Sequence, residues 1–172
     1  ETAKLLTMQL AESGSPSYTR TARNKTPVLY EGREDEIKIG KGVVLREGKD
    51  VAIIACGVMV SQSLEAADAL AAEGISAAVV DMHTLKPLDG ELIDRLVATC
   101  GALVTAEDHN VIGGLGGAVA EHLTSNAYAP LERVGVQDRF GESGEADEML
   151  EVMEISSPFI AEAAKRAVAR KA

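Results

Sequence analysis

The sequence predicts an α/β fold, a three-layer α/β/α sandwich in which helices cover both faces of a mostly parallel sheet. From residue 51 onward, short continuous apolar runs alternate with segments that have helical spacing. Such runs are typical of parallel strands that are covered on both faces. Gly, Ser and Pro stand at the ends of the segments. With 172 residues, 46% of them hydrophobic, the chain is long enough to bury a core of its own.

Four strands are predicted after residue 50, at VAIIACGV, ISAAVVDM, ALVTAE and ERVGVQ. Helices are predicted between them. Ser61 is the expected N-cap of the first helix, and Gly74 is expected to end it. Another helix is predicted over residues 116–125. Two more helices follow the last strand, and Ser157 followed by Pro158 is a start signal for the second of them. Strands that alternate with helices imply right-handed crossovers and a three-layer α/β sandwich.

The first fifty residues have a different character. ETAKLLTMQLAES has helical spacing, and SPSYTRTAR predicts a strand. One helix and one strand cannot bury a core, so residues 1–30 are expected to belong to a domain whose main part lies elsewhere. Glu rather than Met at position 1 agrees with this expectation. Residues 31–50 are charged and predict a connector, in which KGVVLREG forms a short hairpin-like strand at the edge of the domain that follows, residues 51–172.

Composition argues against several kinds of partner. The formal net charge is −10, whereas a nucleic-acid-binding surface needs clustered Lys and Arg. No apolar stretch has the length of a membrane helix, and no signal peptide opens the sequence. We therefore expect no nucleic-acid or membrane partner. Cys56 and Cys100 stand among apolar residues, which favours buried free thiols, a reducing compartment and a cytoplasmic location.

The stretch TAEDHNVIGGLGGAVAEHL raises the question of a phosphate-binding loop, because glycines before a helix are typical of such loops. The dinucleotide fingerprint fails, since Val119 stands where its last glycine or alanine belongs. Glu107 and Asp108 would repel a pyrophosphate, and no Lys-Ser or Lys-Thr pair follows as in a P-loop. The favoured interpretation is packing, in which Gly116 and Gly117 let the helix approach the sheet closely. A small-ligand site at residues 107–117 is the alternative.

Three histidines are candidates for chemistry. His109 stands beside two carboxylates at the predicted carboxyl end of a strand, where α/β sheets place their ligands, and an acid–base role is one interpretation. A hydrogen-bonded structural histidine in the loop between strand and helix is the other. His83 is placed similarly, and His122, on a predicted helix, is expected at the surface or in the core of the protein. Their spacings are not those of metal ligands.

The segment TRTARNKTP carries two arginines. Arginine suits a phosphate group because its planar fork donates two hydrogen bonds at once. Arg20 and Arg23 are three residues apart, so on a strand their side chains would point to opposite faces, and at most one would face a given pocket. From the residues alone, an exposed surface arginine is the simpler interpretation.

Three motifs occur in this order along the chain: YTRTARNKTPVLY, DMHTLKPLDGELI and TAEDHNVIGGLGGAVAE. Together they resemble the C-terminal end of the transketolases, a thiamine-diphosphate-dependent family. The resemblance implies that residues 1–30 close the pyrimidine-binding domain, that residues 31–50 are a linker and edge strand, and that residues 51–172 are the C-terminal domain. It also implies a five-stranded mixed sheet in which the strand near residues 41–46 is antiparallel.

The resemblance further implies a function. The complete enzyme would transfer a two-carbon ketol unit between sugar phosphates, as in the pentose phosphate pathway, with thiamine diphosphate and Mg or Ca. Arg23 falls on the position that contacts the substrate phosphate, and Arg20 is expected to be structural. The resemblance places the cofactor, the metal ion and the catalytic residues in an N-terminal part or subunit outside this chain. The chain alone would be inactive and would mainly extend a homodimer interface.

Relatives of the transketolases remain alternatives, because they share this architecture. They are the 1-deoxy-D-xylulose-5-phosphate synthases and the β subunits of 2-oxoacid dehydrogenase E1 components. TLKPLD and the Glu-Asp-His triplet before the glycines are closer to the transketolase pattern. A non-catalytic assembly module is a further alternative for residues 31–172.

Overall fold

The apolar runs form strands because β-branched and small apolar residues suit a sheet that is covered on both faces. The computed structural model describes residues 2–23, 25–126 and 128–171. The strands are β1 (Val43–Arg46), β2 (Val51–Ala55), β3 (Ala77–Asp81), β4 (Leu103–Asn110) and β5 (Leu131–Val136). They form one sheet in the order β1-β3-β2-β4-β5, with β1 antiparallel to β3 and every other pair parallel. The predicted mixed sheet is confirmed.

Helices cover both faces of this sheet. They are α1 (Thr2–Glu12), α2 (Met59–Ala72), α3 (Gly90–Cys100), α4 (Leu115–Asn126), α5 (Ala146–Val152) and α6 (Ser157–Ala169), with a 3₁₀ turn at Glu34–Glu36. Buried residues of α2 and α6 share one apolar cluster, and those of α3 and α4 share another on the opposite face. The three-layer sandwich is therefore confirmed. No helix in the described ranges is long and apolar enough to cross a membrane.

The core is divided between the two faces by the alternation of side chains along each strand. Ile53 belongs to the cluster under α2 and α6, whereas Ile54 belongs to the cluster under α3 and α4. Every residue of β2 is fully buried, because this strand lies in the middle of the sheet. Cys56 and Cys100 are free and buried among these apolar residues, as predicted.

The edge strand β1 is found where it was expected, but it is not one arm of a hairpin. It pairs with β3 and not with β2, the next strand along the chain. Each strand has only two edges, and both edges of β2 are occupied by the parallel neighbours β3 and β4. An antiparallel partner can therefore be added only outside β3.

The start of α2 differs from the prediction. Ser61 is not the N-cap, because the helix begins at Met59 and Val58 is the residue before it. Gly57 has a φ of 61° and turns the chain directly after β2, so the helix starts three residues earlier than predicted. The Ser61 hydroxyl donates to the Val58 carbonyl instead. The predicted end is confirmed, since Gly74 has a φ of 84° just beyond the helix.

The N-terminal segment also departs from the prediction in one respect. Helix α1 forms and packs Leu5 and Leu6 against a small cluster around Tyr30 and, in the connector, Ile37. The strand predicted at SPSYTRTAR is absent, and the described residues there are exposed and without regular structure. A strand is stabilised by hydrogen bonds to a neighbouring strand, and the described residues provide no such neighbour for this segment.

Candidate functional site

Charged and polar side chains gather at the carboxyl edge of the sheet. Strands β2, β3 and β4 are parallel and therefore end at the same edge, the position where α/β proteins bind their ligands. Cys56 follows β2, and Asp81 is the last residue of β3. The second half of β4 carries Glu107, Asp108 and His109. In this strand Glu107 and His109 face α4, and Asp108 points to the opposite face.

Glu107 closes the N-terminus of α4 from inside the protein. The side chain is fully buried, and it accepts hydrogen bonds from the backbone N–H groups of Leu115 at 2.6 Å and Gly116 at 2.8 Å. The first N–H groups of a helix have no partner within the helix and carry partial positive charge, so they attract anions. Here a carboxylate of the protein itself occupies the place that a phosphate takes in a nucleotide loop.

The glycines before α4 make this contact possible. A Cβ atom on Gly114 would stand 2.0 Å from Glu107 Oε2, and one on Gly116 would stand 2.9 Å from the Thr105 hydroxyl oxygen. Close packing is therefore confirmed at Gly116. The same prediction is wrong for Gly117, because a Cβ atom on that residue would meet nothing within 4 Å. Gly117 lies one residue further around the helix and does not face the sheet.

His109 lies on β4 and not in the loop after it, because the strand continues to Asn110. Its Nδ1 atom is 2.9 Å from Glu107 Oε2, and its side chain is 30% exposed. A carboxylate at Nδ1 fixes the orientation of the imidazole ring. The same carboxylate oxygen also binds the N–H of Leu115. His109 is thus part of the arrangement that holds the start of α4.

Two side chains of the N-terminal segment reach this edge. Arg20 Nη2 donates to Asp108 Oδ1 at 2.7 Å, in an ion pair that is partly exposed. The Tyr30 hydroxyl donates to Asp81 Oδ2 at 2.6 Å, and both of these residues are buried. The N-terminal segment is thereby fixed to the ends of two strands of the sandwich.

The charges at the edge act on Cys56, which lies between them. Burial is the main cause that raises the pKa of the Cys56 thiol to about 12, and the carboxylates of Glu107, Asp108 and Asp81 act in the same direction. Arg20 lowers the same pKa. A thiol with so high a pKa stays protonated at neutral pH and is a poor nucleophile. The Cys56 side chain therefore acts as a small buried group.

Asp81 is the other titratable group that the edge perturbs. Burial raises the pKa of its carboxyl group to about 6, and the hydrogen bond from Tyr30 acts in the opposite direction. Burial also raises the pKa of the Tyr30 hydroxyl, with the negative charge of Asp81 as the next cause. Both groups are held closer to their neutral forms than in water, as expected for groups removed from solvent.

Comparison with known proteins assigns this architecture to a family. The family model described as "Transketolase, C-terminal domain" matches residues 40–160. The chain belongs to the transketolase C-terminal domain family. The carboxyl edge described above, with β2, β3, β4 and the start of α4, lies inside the matched range. Arg20 and Arg23 precede it.

Relatives extend the likeness over most of the chain. The 6-deoxy-6-sulfo-D-fructose transketolase subunit SqwH of Clostridium sp. (strain MSTE9) is 44% identical over 163 residues, which are 95% of this chain and 50% of that protein. A 1-deoxy-D-xylulose-5-phosphate synthase of Crocosphaera subtropica is 41% identical over 146 residues, or 84% of this chain and 23% of that protein.

A solved structure is also similar to this chain over most of its length. A split-gene transketolase, described as an inactive β4 tetramer, superposes with a TM-score of 0.94 at 43% identity, covering 98% of this chain and 55% of that one. The chain thus spans about half the length of the split-gene chain and of the SqwH subunit. It resembles these proteins along its own length.

The remaining predicted residues lie at different places in this transketolase-family chain. Arg23 is exposed in the segment that precedes the connector. His83 follows β3, and its Nδ1 lies 2.9 Å from the Thr84 hydroxyl. Burial lowers the pKa of His83. His122 lies on α4, where its Nε2 is 2.7 Å from Asp94 Oδ1 on α3. His83, His109 and His122 thus have different partners. The described residues contain no group of three or more His, Cys, Asp or Glu side chains that could hold a metal ion.

Sequence reasoning missed two features of this edge of the transketolase-family sandwich. Glu107 was regarded as an obstacle to a phosphate, and its role as the cap of α4 was not predicted. The signal was present, since a carboxylate at the end of a strand precedes a glycine-rich helix start. The Tyr30–Asp81 contact was also missed. An aspartate at the end of the apolar run AAVVD was the available signal for it.

Proposed function

We propose that this chain is the C-terminal portion of a transketolase, which transfers a two-carbon ketol unit between sugar phosphates. The observation that carries the proposal is the likeness to the split-gene transketolase, which extends over 98% of the chain and so includes the arginine segment. Membership of the family and the order of the three motifs support it as well. Because the chain spans about half of the split-gene chain and of the SqwH subunit, the proposal assigns the rest of the enzyme to an N-terminal part or subunit.

In this proposal Arg23 binds the phosphate group of the sugar substrate, and Arg20 is structural. Support for this division comes from the contacts of the two side chains. Arg20 is engaged by Asp108 at 2.7 Å, whereas Arg23 is exposed, and among the described residues no hydrogen bond or ion pair engages it. A guanidinium group with free donors is suited to a phosphate, which it can bind with two parallel hydrogen bonds.

Thiamine diphosphate and a divalent cation, Mg or Ca, belong to the complete enzyme in this proposal. The glycine-rich start of α4 is not available to a diphosphate, because Glu107 closes it. The described ranges also contain no group of three or more metal-ligating side chains. We therefore derive no catalytic step within this chain.

The chain alone is expected to be inactive. His109 is the candidate for acid–base chemistry, but Glu107 holds it at 2.9 Å, so we assign it to the support of α4. The functional unit is proposed to be a homodimer of complete enzymes in the cytoplasm, acting in the pentose phosphate pathway. The free buried cysteines suit the reducing compartment that this location implies.

The decisive experiment is Arg23→Ala in the complete enzyme, with its N-terminal part or partner present. Loss of a charge-assisted hydrogen-bonding group is worth about 1.5–3 kcal/mol, so KM for phosphorylated sugars should rise about tenfold to a hundredfold. Arg95→Ala, which removes an exposed arginine from α3, is the matched control and should leave KM unchanged. Unchanged KM in Arg23→Ala would overturn the assignment of the phosphate site.

The anionic group of the substrate can be examined in the same assay. The SqwH relative is described by its action on 6-deoxy-6-sulfo-D-fructose, which carries a sulfonate. An arginine fork can donate to the oxygens of either group. Comparing fructose 6-phosphate with 6-deoxy-6-sulfo-D-fructose in the wild type and in Arg23→Ala shows which group the arginine binds. If kcat/KM is higher for the sulfonated sugar, the proposed substrate is a sugar sulfonate and not a sugar phosphate.

A second candidate activity is that of a 1-deoxy-D-xylulose-5-phosphate synthase, because the relative of that name is 41% identical over 84% of this chain. Product analysis separates the two. A transketolase yields a shortened aldose phosphate and a lengthened ketose phosphate, whereas the synthase yields 1-deoxy-D-xylulose 5-phosphate. Formation of the deoxy sugar by the complete enzyme would favour the second candidate.

A further inference from the structure

The segment from Arg20 to Tyr30 is attached to the carboxyl edge of the sheet at both of its ends. Arg20 binds Asp108 on β4 at 2.7 Å, and the Tyr30 hydroxyl binds Asp81 on β3 at 2.6 Å. The two contacts differ in character. Tyr30 and Asp81 are 3% and 5% exposed, which makes a buried anchor. The Arg20–Asp108 pair is accessible to solvent, with side chains 52% and 27% exposed.

The strand order determines what lies between these contacts. Strand β2 stands between β3 and β4 in the sheet. Neighbouring strands lie about 4.8 Å apart, so the ends of β3 and β4 are about 10 Å from each other. Ten residues can span more than this distance. Arg20 and both carboxylates also act on the pKa of Cys56, which follows β2. The two attachment points of the segment therefore lie on either side of β2 in the sheet.

Arg23 lies within this segment, three residues after Arg20. The described residues around it are exposed and without regular secondary structure. Helix or sheet hydrogen bonds therefore do not set the position of the Arg23 backbone. The position depends on where the segment is attached, and the Arg20–Asp108 contact is the attachment nearer to Arg23 along the chain.

We propose that Asp108 is a positioning residue for substrate binding, which holds Arg20 and thereby places Arg23 for the anionic group of the sugar. This inference rests on the proposed function of Arg23. Asp108 is suited to the task because it lies on β4 between Ala106 and Asn110, and both of these residues pair with β5. The C-terminal domain thus contributes to substrate binding without touching the substrate.

The test uses the complete enzyme with its N-terminal part or partner present. Asp108→Asn should raise KM for the phosphorylated sugar about threefold to fivefold, the range that a partly exposed ion pair can supply, and leave kcat unchanged. Reversing the pair, Arg20→Asp with Asp108→Arg, should restore KM. Asp68→Asn removes the carboxylate of the exposed Arg46–Asp68 pair, which joins β1 and α2, and is the matched control.

A double-mutant cycle separates positioning from a general structural effect. If Asp108 acts through Arg23, Asp108→Asn should have no further effect on KM in an Arg23→Ala background. The proposal would be overturned if Asp108→Asn raised KM as much in the Arg23→Ala background as in the wild type. It would also be overturned if the reversed pair did not restore KM. Should Arg23→Ala raise KM while Asp108→Asn does not, the positioning role alone fails. Should Arg23→Ala leave KM unchanged, the phosphate site and the positioning role fail together.

Discussion

Glu107 Oε1 accepts a hydrogen bond of 2.8 Å from the backbone N–H of Gly116, at the start of α4. This contact explains why a glycine-rich stretch that resembles a phosphate loop is a packing corner here. The partial positive charge of the helix N-terminus is neutralised by a buried carboxylate that precedes it by nine residues in the sequence. The stretch therefore fixes α4 against the sheet and belongs to the structure of the domain.

Removing this carboxylate should destabilise the domain strongly. Glu107→Ala leaves the N–H groups of Leu115 and Gly116 buried without acceptors. Each unsatisfied group costs about 1–3 kcal/mol, so we expect the free energy of unfolding to fall by about 2–5 kcal/mol. Urea denaturation followed by circular dichroism measures the loss. Glu121→Ala, at an exposed position of α4, should cost less than about 0.5 kcal/mol. Equal losses in the two variants would contradict the capping role.

Two neighbouring glycines should respond to alanine with opposite signs. In Gly116→Ala the new Cβ would stand 2.8 Å from Arg133 Cδ and 2.9 Å from the Thr105 hydroxyl oxygen, so α4 must shift, at a cost of about 1–3 kcal/mol. In Gly117→Ala the Cβ would meet nothing within 4 Å. Alanine in the helix should then stabilise the protein by about 0.5–1 kcal/mol. Thermal unfolding of the two variants side by side tests this, and stabilisation by Gly116→Ala would show that the helix does not approach the sheet so closely.

Asp81 should make stability depend on pH in mildly acidic solution. Burial raises the pKa of its carboxyl group from 3.8 to about 6. Between these values the folded protein keeps a proton that the unfolded chain has lost, so this group favours folding at low pH. Its contribution is lost as the pH rises from about 4 to about 6.

The variant Asp81→Asn isolates that contribution, because its side chain stays neutral and can still accept from Tyr30. Relative to the wild type, the variant should gain about 3 kcal/mol of stability between pH 4 and pH 7, since a pKa difference of about two corresponds to that free energy. Urea denaturation at pH 4, 5, 6 and 7 gives the trend. Asp68→Asn, at an exposed position, is the control and should differ from the wild type by less than about 0.5 kcal/mol throughout. If the difference in unfolding free energy between Asp81→Asn and the wild type does not change with pH, the raised pKa of Asp81 is contradicted.

The start of α3 offers a further test. Asp89 Oδ1 accepts from the N–H of Leu92 at 3.3 Å, and Oδ2 accepts from the N–H of Gly42 before β1 at 3.1 Å. Asp89→Ala should therefore cost about 1–2 kcal/mol, as for other N-cap residues. Glu91→Ala removes an exposed carboxylate two residues away and should cost less than about 1 kcal/mol. Chemical denaturation distinguishes the two, and similar losses would show that the cap does not stabilise α3.

The accuracy of the sequence predictions depended on the range of the interactions involved. The apolar run VAIIACGV gave β2 because its pattern is carried by adjacent residues. Gly74 ended α2 because a left-handed conformation is a property of single residues. SPSYTRTAR has the composition of a strand but does not form one, since pairing requires a second segment. Ser61 failed as an N-cap because Gly57, four residues earlier, turned the chain first.

The sequence by itself determined the alternation of strands and helices, the three layers and the family, because each depends on patterns within a few dozen residues. The tertiary structure decided how the carboxyl edge is arranged. Asp108 and Arg20 are 88 residues apart, and Asp81 and Tyr30 are 51 apart. No local pattern relates such positions. The parallel strands bring Asp81 and Asp108 to one edge of the sheet, and Arg20 and Tyr30 reach that edge only because the N-terminal segment folds back onto it.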